Sequence, residues 1–310
     1  MRNFPYVVRN YQLTDFDKYV QLNTEAEKLD PVGRGISARI IAEHLSRPNY
    51  SPERDLFIIE IAGGIVGYMD MAVEVAIGRV ILDCWVQPKY RRNGLATELL
   101  GSAVHRAQEY GVKVAHINIA QDNTVAKNVL SRLGFECVRK FLELRLDMAE
   151  VNWQDVGQAT LECRSFRRGE EDKLTQIQNR SFAGSWGYNP NTEETITYSM
   201  NRSNHSSEDV ILACDGDKVV GYCWTEIIDE RRAAVDERKG RIHMIGADPN
   251  YRGKGVGKRA LLAGLDYIQS KGLQITELTV DNENKVACAL YYAIGFEVWT
   301  SSLWYEKSLN

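Results

Sequence analysis

Nowhere in its 310 residues does the chain run through 18 apolar residues without interruption. A bilayer-spanning helix needs about 20, so no membrane span is expected. Residues Met1 to Gln12 contain charge and proline but none of the apolar run of a secretion signal, which points to a cytoplasmic protein. An excess of basic charge is also missing, with 38 Lys and Arg against 42 Asp and Glu and a net charge of -4. Nucleic-acid partners are therefore not expected. The six cysteines, Cys84, Cys137, Cys163, Cys214, Cys223 and Cys288, form no C-x-x-C pair and read as reduced core thiols. Among His44, His105, His116, His205 and His243 there is no H-E-x-x-H or other ligand spacing, so no metal site is expected. What remains, 44% hydrophobic and 26% charged, is an ordinary globular composition, and the length has room for two domains.

The chain is written twice. Pro88-Lys89-Tyr90-Arg91-Arg92-Asn93-Gly94-Leu95-Ala96 returns as Pro249-Asn250-Tyr251-Arg252-Gly253-Lys254-Gly255-Val256-Gly257, a separation of 161 residues from Arg91 to Arg252. The same 161 links Asn123-Thr124-Val125-Ala126 to Asn284-Lys285-Val286-Ala287, and Leu133-Gly134-Phe135 to Ile294-Gly295-Phe296. Upstream, Ile65-Val66-Gly67-Tyr68 matches Val219-Val220-Gly221-Tyr222 at 154. The seven extra residues of the second copy fall in the charged stretch Asp229 to Gly240, which reads as a longer hairpin loop.

Periodicity and turn signals give both copies one order of elements. In the second copy a strand at 163–167 precedes helices near 171–182 and 192–202, then strands at 209–214, 218–228 and 241–247. A helix over 257–271 presents Leu261, Leu262, Leu265 and Ile268 on one face, and strand 276–280, helix 284–294 and strand 297–305 complete the copy. The fold class is α/β of the α+β kind: two domains, 1–150 and 159–310, each a mixed, mostly antiparallel sheet flanked by helices, joined by a linker over 147–158.

Arg252-x-x-Gly255-x-Gly257 ends a strand and opens an amphipathic helix. Such a turn aims backbone N–H groups and the positive helix end at one point, an anion cradle. Arg252, Lys254 and Lys258 add positive charge. A P-loop does not fit, because the spacer is one residue short and Arg259 stands where Ser or Thr should bind Mg²⁺. A dinucleotide fingerprint does not fit either, because this turn comes late in its unit.

These motifs resemble those of the GNAT superfamily of acyl-CoA N-acyltransferases, whose signature is R/Q-x-x-G-x-G/A after a strand ending V-x-P, then N-x-x-A-x-x-L-Y-x-x-x-G-F. The second copy has Ala247-Asp248-Pro249, Arg252-x-x-Gly255-x-Gly257 and Asn284-x-x-Ala287-x-x-Leu290-Tyr291-x-x-x-Gly295-Phe296. The first has Val86-Gln87-Pro88, Arg91-x-x-Gly94-x-Ala96 and Asn123-x-x-Ala126. The tandem arrangement, with Asn179-Arg180-Ser181-Phe182-Ala183 ahead of Trp186-Gly187, is similar to the group that includes mycothiol synthase.

The resemblance implies an acetyl-CoA-dependent N-acetyltransferase acting on a small amine or amino-thiol by direct attack on the thioester. It implies a pantetheine arm along Ile245, Gly246 and Ala247, and a diphosphate on Arg252, Gly253, Lys254, Gly255, Val256, Gly257 and Lys258, with Asn284 nearby. Val86, Arg91, Arg92, Asn93, Gly94, Leu95, Ala96 and Asn123 are the first copy's counterparts. Tyr291, four residues before Gly295, takes the place of the acid that protonates the departing sulfur; the first copy has Leu130 there, so catalysis is expected in the second copy alone. The candidate bases are Glu226, which shares strand parity with Tyr222 and Trp224, and His243, which shares parity with Ile245 and Ala247. Trp186 and Tyr188, with Trp224, either wall the amine pocket or pack its loop. An alternative reading is a non-catalytic acyl-CoA-binding regulatory or interaction protein.

Overall fold

The structure, a computed structural model, describes residues 5–29, 37–151, 153, 161–232 and 235–309, with only the backbone at the ends of the hairpin at 229–237. The first repeat runs β1 (Val7–Asn10), α1 (Phe16–Leu29), α2 (Ala38–Leu45), α3 (Pro52–Asp55), β2 (Leu56–Ile61), β3 (Gly64–Glu74), β4 (Arg79–Val86), α4 (Leu95–Glu109), β5 (Val114–Ala120), α5 (Thr124–Arg132) and β6 (Glu136–Asp147). The second runs β7 (Glu162–Ser165), α6 (Glu171–Phe182), α7 (Glu193–Met200), β8 (Val210–Asp215), β9 (Lys218–Arg232), β10 (Val235–Ala247), α8 (Val256–Ser270), β11 (Ile275–Asp281), α9 (Lys285–Ile294) and β12 (Glu297–Ser308).

The chain folds into two compact units whose borders fall inside the last strand of each repeat. One contains Met1–Arg139 and Leu303–Asn310, the other Lys140–Ser302. In the first unit the strands lie in the order β1-β2-β3-β4-β5, with the end of β12 beside β5, where the Asn118 amide donates to the Leu303 carbonyl at 3.4 Å. In the second the order is β7-β8-β9-β10-β11-β6. The neighbours from β1 to β5 and from β7 through β11 to β6 pair antiparallel except β4 with β5 and β10 with β11, as the helical crossovers α4 and α8 require.

Each sheet is buried on both faces, so its inner strands read as apolar runs without clean alternation. In the first unit Phe57, Ile59 and Ile61 pack against Leu95, Leu99 and Ala103 of α4, while Leu56 and Ile58 face Tyr19 and Leu22 of α1. In the second, the α8 stripe Leu261, Leu262, Leu265 and Ile268 is buried against Val220, Cys223 and Ile242, as its spacing predicts. Each such side chain contributes about 1.5–3 kcal/mol. The other face holds Leu174 and Ile177 of α6 against Tyr222 and Trp224.

Two expectations are corrected. The stretch Asp229 to Gly240 is not a loop: β9 continues to Arg232 and β10 starts at Val235, with Val235 opposite Arg232. Its charges fit a strand pair extended past the core as well as they fit a loop. The simple parity of β10 also fails, because Ile242 opposes Thr225 whereas Met244 already opposes Trp224. His243 is the extra residue of a β-bulge, and it points with Trp224 and Glu226, away from Ile245 and Ala247. Of the expected linker, 152 and 154–158 lie outside the described residues, while Met148 and Val151 are buried in the second unit's core.

Candidate active site

The site begins where β10 runs into α8. Gly253 and Gly255 have φ of +75° and +78°, a left-handed bend that lets the chain double back before the helix. Gly255 is the N-cap and has no side chain to cap with. The amides of Gly253, Gly255, Val256 and Gly257 find no acceptor among the described residues, so the positive helix end stays open to an anion. Arg252 reaches across to donate to the Ser181 carbonyl at 3.1 Å, tying the end of α6 to this bend, and the Lys254 ammonium lies 4.9 Å over the Tyr251 ring. Asn284 and Asn123 each cap a helix, accepting from the amides of Ala287 and Ala126. Those carboxamide oxygens are engaged in holding α9 and α5.

Upstream of the bend the sheet opens. β10 pairs with β11 only from Gly240 to Ile242, and beyond that Met244 to Ala247 keep hydrogen bonding to β9 alone. One backbone edge of Ile245, Gly246 and Ala247 is thus left for an extended ligand, in the manner of strand addition. Gly246 makes this layer thin: a Cβ there would stand 2.6 Å from the Ser181 Cβ and 2.9 Å from the Tyr222 ring.

Tyr291 stands on α9. It is 6% exposed, packs edge-on against Phe296, and its hydroxyl has no protein partner among the described residues. Burial raises its pKa above the ordinary phenol value, so it carries its proton at neutral pH. Although it belongs to the core under α8, it interacts electrostatically with Tyr222, which packs on the α6 face. Its neighbour Tyr292 is 46% exposed, one hundred degrees around the helix as expected.

On the α6 face, Glu226 and His243 are joined by a histidine that spacing did not single out. His205 Nε2 stands 3.1 Å from Glu226 Oε1, the Asn204 amide donates to that oxygen at 3.2 Å, and His243 Nδ1 lies 3.7 Å from Glu226 Oε2. Burial pushes the Glu226 carboxyl up, but the His205 hydrogen bond and the charges of His243, His205 and Arg241 hold it down to about 2. Loss of hydration lowers the His243 pKa, and Glu226 opposes that. The loop before β8 brings His205 here, and no periodicity links a loop position to a strand two elements away.

Trp224 belongs to the same face, and Tyr188 packs on Phe182, which borders it. Trp224 is 2% exposed and its indole N–H donates to His205 Nδ1 at 3.3 Å. Tyr188 stacks on Phe182, and its hydroxyl donates to Asn179 at 2.8 Å. Trp186 packs near Phe141, with ring centroids 6.0 Å apart.

The first unit keeps the frame and loses these groups. β4 and β5 part after Ile81 and His116, and Gly94 caps α4 with φ of +82°. At the matched positions, however, Tyr291 is replaced by Leu130, Glu226 by Ala72 and Gly246 by Trp85, and Leu82, opposite Met71, stands where Ile242 stands opposite Thr225, so His243 has no counterpart. There is no bulge between β3 and β4. Arg92 replaces Gly253 and is forced to φ of +67°.

A late strand-to-helix anion cradle beside a splayed, mixed sheet, present twice, defines a class of acyl-CoA-binding transferase. The profile of the Acetyltransferase (GNAT) family matches residues 23–135 and again 172–296, and the chain belongs to this family. It is an acetyl-CoA-dependent N-acyltransferase of tandem GNAT architecture. Over 299 residues it is 28% identical to the mycothiol acetyltransferase of Actinosynnema mirum, covering 93% of this chain and 94% of that one. With the mycothiol acetyltransferase of Thermobifida fusca it shares 29% over 240 residues, 72% of each chain. A GCN5-related N-acetyltransferase from Sphaerobacter thermophilus superposes with a TM-score of 0.73 at 20% identity over 99% of this chain and 98% of that one. A tandem GNAT protein from the clavulanic acid biosynthesis pathway gives 0.73 at 14% over 99% of both. At those identities the likeness is one of fold. No helix among the described residues is long and apolar enough to cross a membrane.

Proposed function

We infer that the second unit transfers an acetyl group to a small amine or amino-thiol, in line with the mycothiol acetyltransferases among its relatives, and that the first unit does not catalyse. The reading rests on one observation: open amides, the strand gap and a buried, protonated phenol occur together in the second unit, whereas the first, which keeps the amides, the gap and a carboxylate–imidazole pair of its own in Asp70 and His44, has Leu130 at the position of the phenol.

The residues fit acetyl-CoA. The amides of Gly253 to Gly257 would hold its diphosphate and the free edge of Ile245 to Ala247 its pantetheine amides, and when bound it supplies an activated acyl thioester. Everything else falls to the protein. An ammonium near pKa 8 to 10 is mostly protonated at neutral pH, so the Glu226–His243 pair removes the proton that frees the nitrogen lone pair. A backbone N–H of Ile245 to Ala247 polarises the acyl oxygen, and the Tyr291 hydroxyl gives its proton to the sulfur as the carbon–sulfur bond breaks.

The test is CoA release over a panel of small amines and amino-thiols, followed with a thiol reagent. Tyr291→Phe should cut turnover about 10²-fold or more while leaving CoA affinity unchanged. Binding of CoA without turnover on any amine would favour the regulatory alternative.

A further inference from the structure

We propose that His205 is a positioning residue that turns Glu226 into an orienting anion and leaves His243 as the group that takes the substrate proton. This assignment rests on the preceding functional reading and divides the work between its two candidate bases.

Hydrogen-bond chemistry sets the tautomer of His205. An indole nitrogen only donates, so the contact from Trp224 makes His205 Nδ1 an acceptor. The single imidazole proton of neutral His205 then sits on Nε2, which faces Glu226 Oε1 at 3.1 Å. With Asn204 on the same oxygen, Oε1 is fully engaged and Oε2 is turned to His243 Nδ1. The carboxylate charge 3.7 Å away favours the His243 proton on Nδ1, leaving the lone pair on Nε2. The rings hold this arrangement: Trp224 meets His205 and His243 edge-on at 5.5 and 5.4 Å. Glu226 is 15% exposed at its side chain and locked, whereas His243 keeps 47% of its side-chain surface open. During transfer one ammonium proton goes to His243 Nε2, the freed nitrogen pair forms the bond to the acyl carbon, the sulfur leaves with the electrons of the broken bond and the proton of Tyr291, and the second nitrogen proton, lost as the amide forms, restores the phenol. Glu226 remains ionised and stabilises the imidazolium.

The charged groups facing His243 are Glu226 from β9, His205 from the loop before β8, Arg202 after α7, and Arg241 from its own strand. Of these only Glu226 raises its pKa. Replacing Glu226, and not His205, therefore moves the acid limb of the rate profile to lower pH.

Histidine-detected NMR of the full chain tests the idea without turnover. His205 should appear as the Nε2–H tautomer and His243 as the Nδ1–H tautomer, and His205→Ala should abolish the latter preference. In kinetics His205→Ala should lower kcat about tenfold with the CoA dissociation constant unchanged, and Glu226→Gln should shift the acid limb downward. His205→Gln, which can still donate to Glu226, should recover most of the rate and the His243 tautomer. An unchanged tautomer in His205→Ala, an unmoved limb in Glu226→Gln, or a His205→Gln variant no better than alanine overturns the proposal. A wild-type protein inert toward every amine, yet showing the expected tautomers, overturns the functional reading instead.

Discussion

Gly246→Ala probes how the second unit builds its thin layer. The new methyl would lie 2.6 Å from the Ser181 Cβ, 2.8 Å from its Oγ and 2.9 Å from Tyr222 Cε1. Neither obstacle is the far end of a flexible chain: one is the root of a side chain on α6, the other a fully buried ring. Helix or strand must move by close to an ångström. Overpacking of this kind costs about 1–3 kcal/mol, against about 0.5–1 kcal/mol of stabilisation expected from Gly to Ala on unfolded-chain entropy alone. The assay is urea unfolding at constant m-value, in a double-mutant cycle with Ser181→Gly, which removes the nearest carbon. Each single change should destabilise, the second through lost helix propensity. Together they should be favourably coupled by about 1 kcal/mol. A stable Gly246→Ala protein, or strict additivity, would show that α6 does not pin this part of β10 and that the thin layer is not a packing requirement.

Three further outcomes follow from the same geometry. Arg92 holds a left-handed φ of +67°, so Arg92→Gly should stabilise the protein by roughly 0.5–1 kcal/mol in denaturant unfolding, while Gly253→Arg at φ of +75° should destabilise it by a similar amount. Gly255→Glu should weaken CoA binding at least tenfold by calorimetry, and Gly255→Ala, which shares the backbone strain without the charge, should weaken it much less; equal effects would remove the anion cradle from the argument. In the first unit burial pushes the Asp70 carboxyl up, but His44, Arg47 and Tyr50 together drive it well below its ordinary value. The unfolded state therefore binds the proton more tightly, and this contribution is intact above about pH 4 and lost as pH falls toward the folded pKa. Asp70→Asn should cost about 3 kcal/mol at neutral pH and flatten the acid side of the stability profile.

The repeat, the element order and the glycine bends were legible because each is a local pattern at a fixed spacing. α6 runs from Glu171 to Phe182 and the buried stripe of α8 is the one its periodicity marks. What was not legible depends on pairing between distant segments. The bulge at His243 is a mismatch of register between β9 and β10, and a single strand read by parity puts that imidazole on the wrong face. His205 reaches Glu226 only because a loop folds over the sheet. Asn284 looks the same in sequence whether it caps α9 or touches a ligand. The alternation rule assumes an unbroken ladder, and functional sites are where ladders break.

The borders of the units have the most direct experimental consequence. A piece cut at the repeat boundary, residues 159–310, would leave out the part of β6 that pairs with β11 from Phe141 opposite Asp281 to Asp147 opposite Ile275. It would also lose Leu142, Leu144, Leu146, Met148 and Val151 from the core under α8. Five buried apolar side chains at about 1.5–3 kcal/mol each come to roughly 7–15 kcal/mol, the whole stability of an ordinary domain. An exposed, apolar edge on β11 would remain and invite aggregation. Residues 140–302 retain that strand together with the cradle, Tyr291 and the Glu226 cluster. Expressed separately, 159–310 should fail to give a cooperative unfolding transition or dispersed amide NMR signals, and 140–302 should give both. Cooperative folding of the shorter piece would mean that β6 belongs energetically to the first repeat after all, and the second unit would have to be redrawn without it.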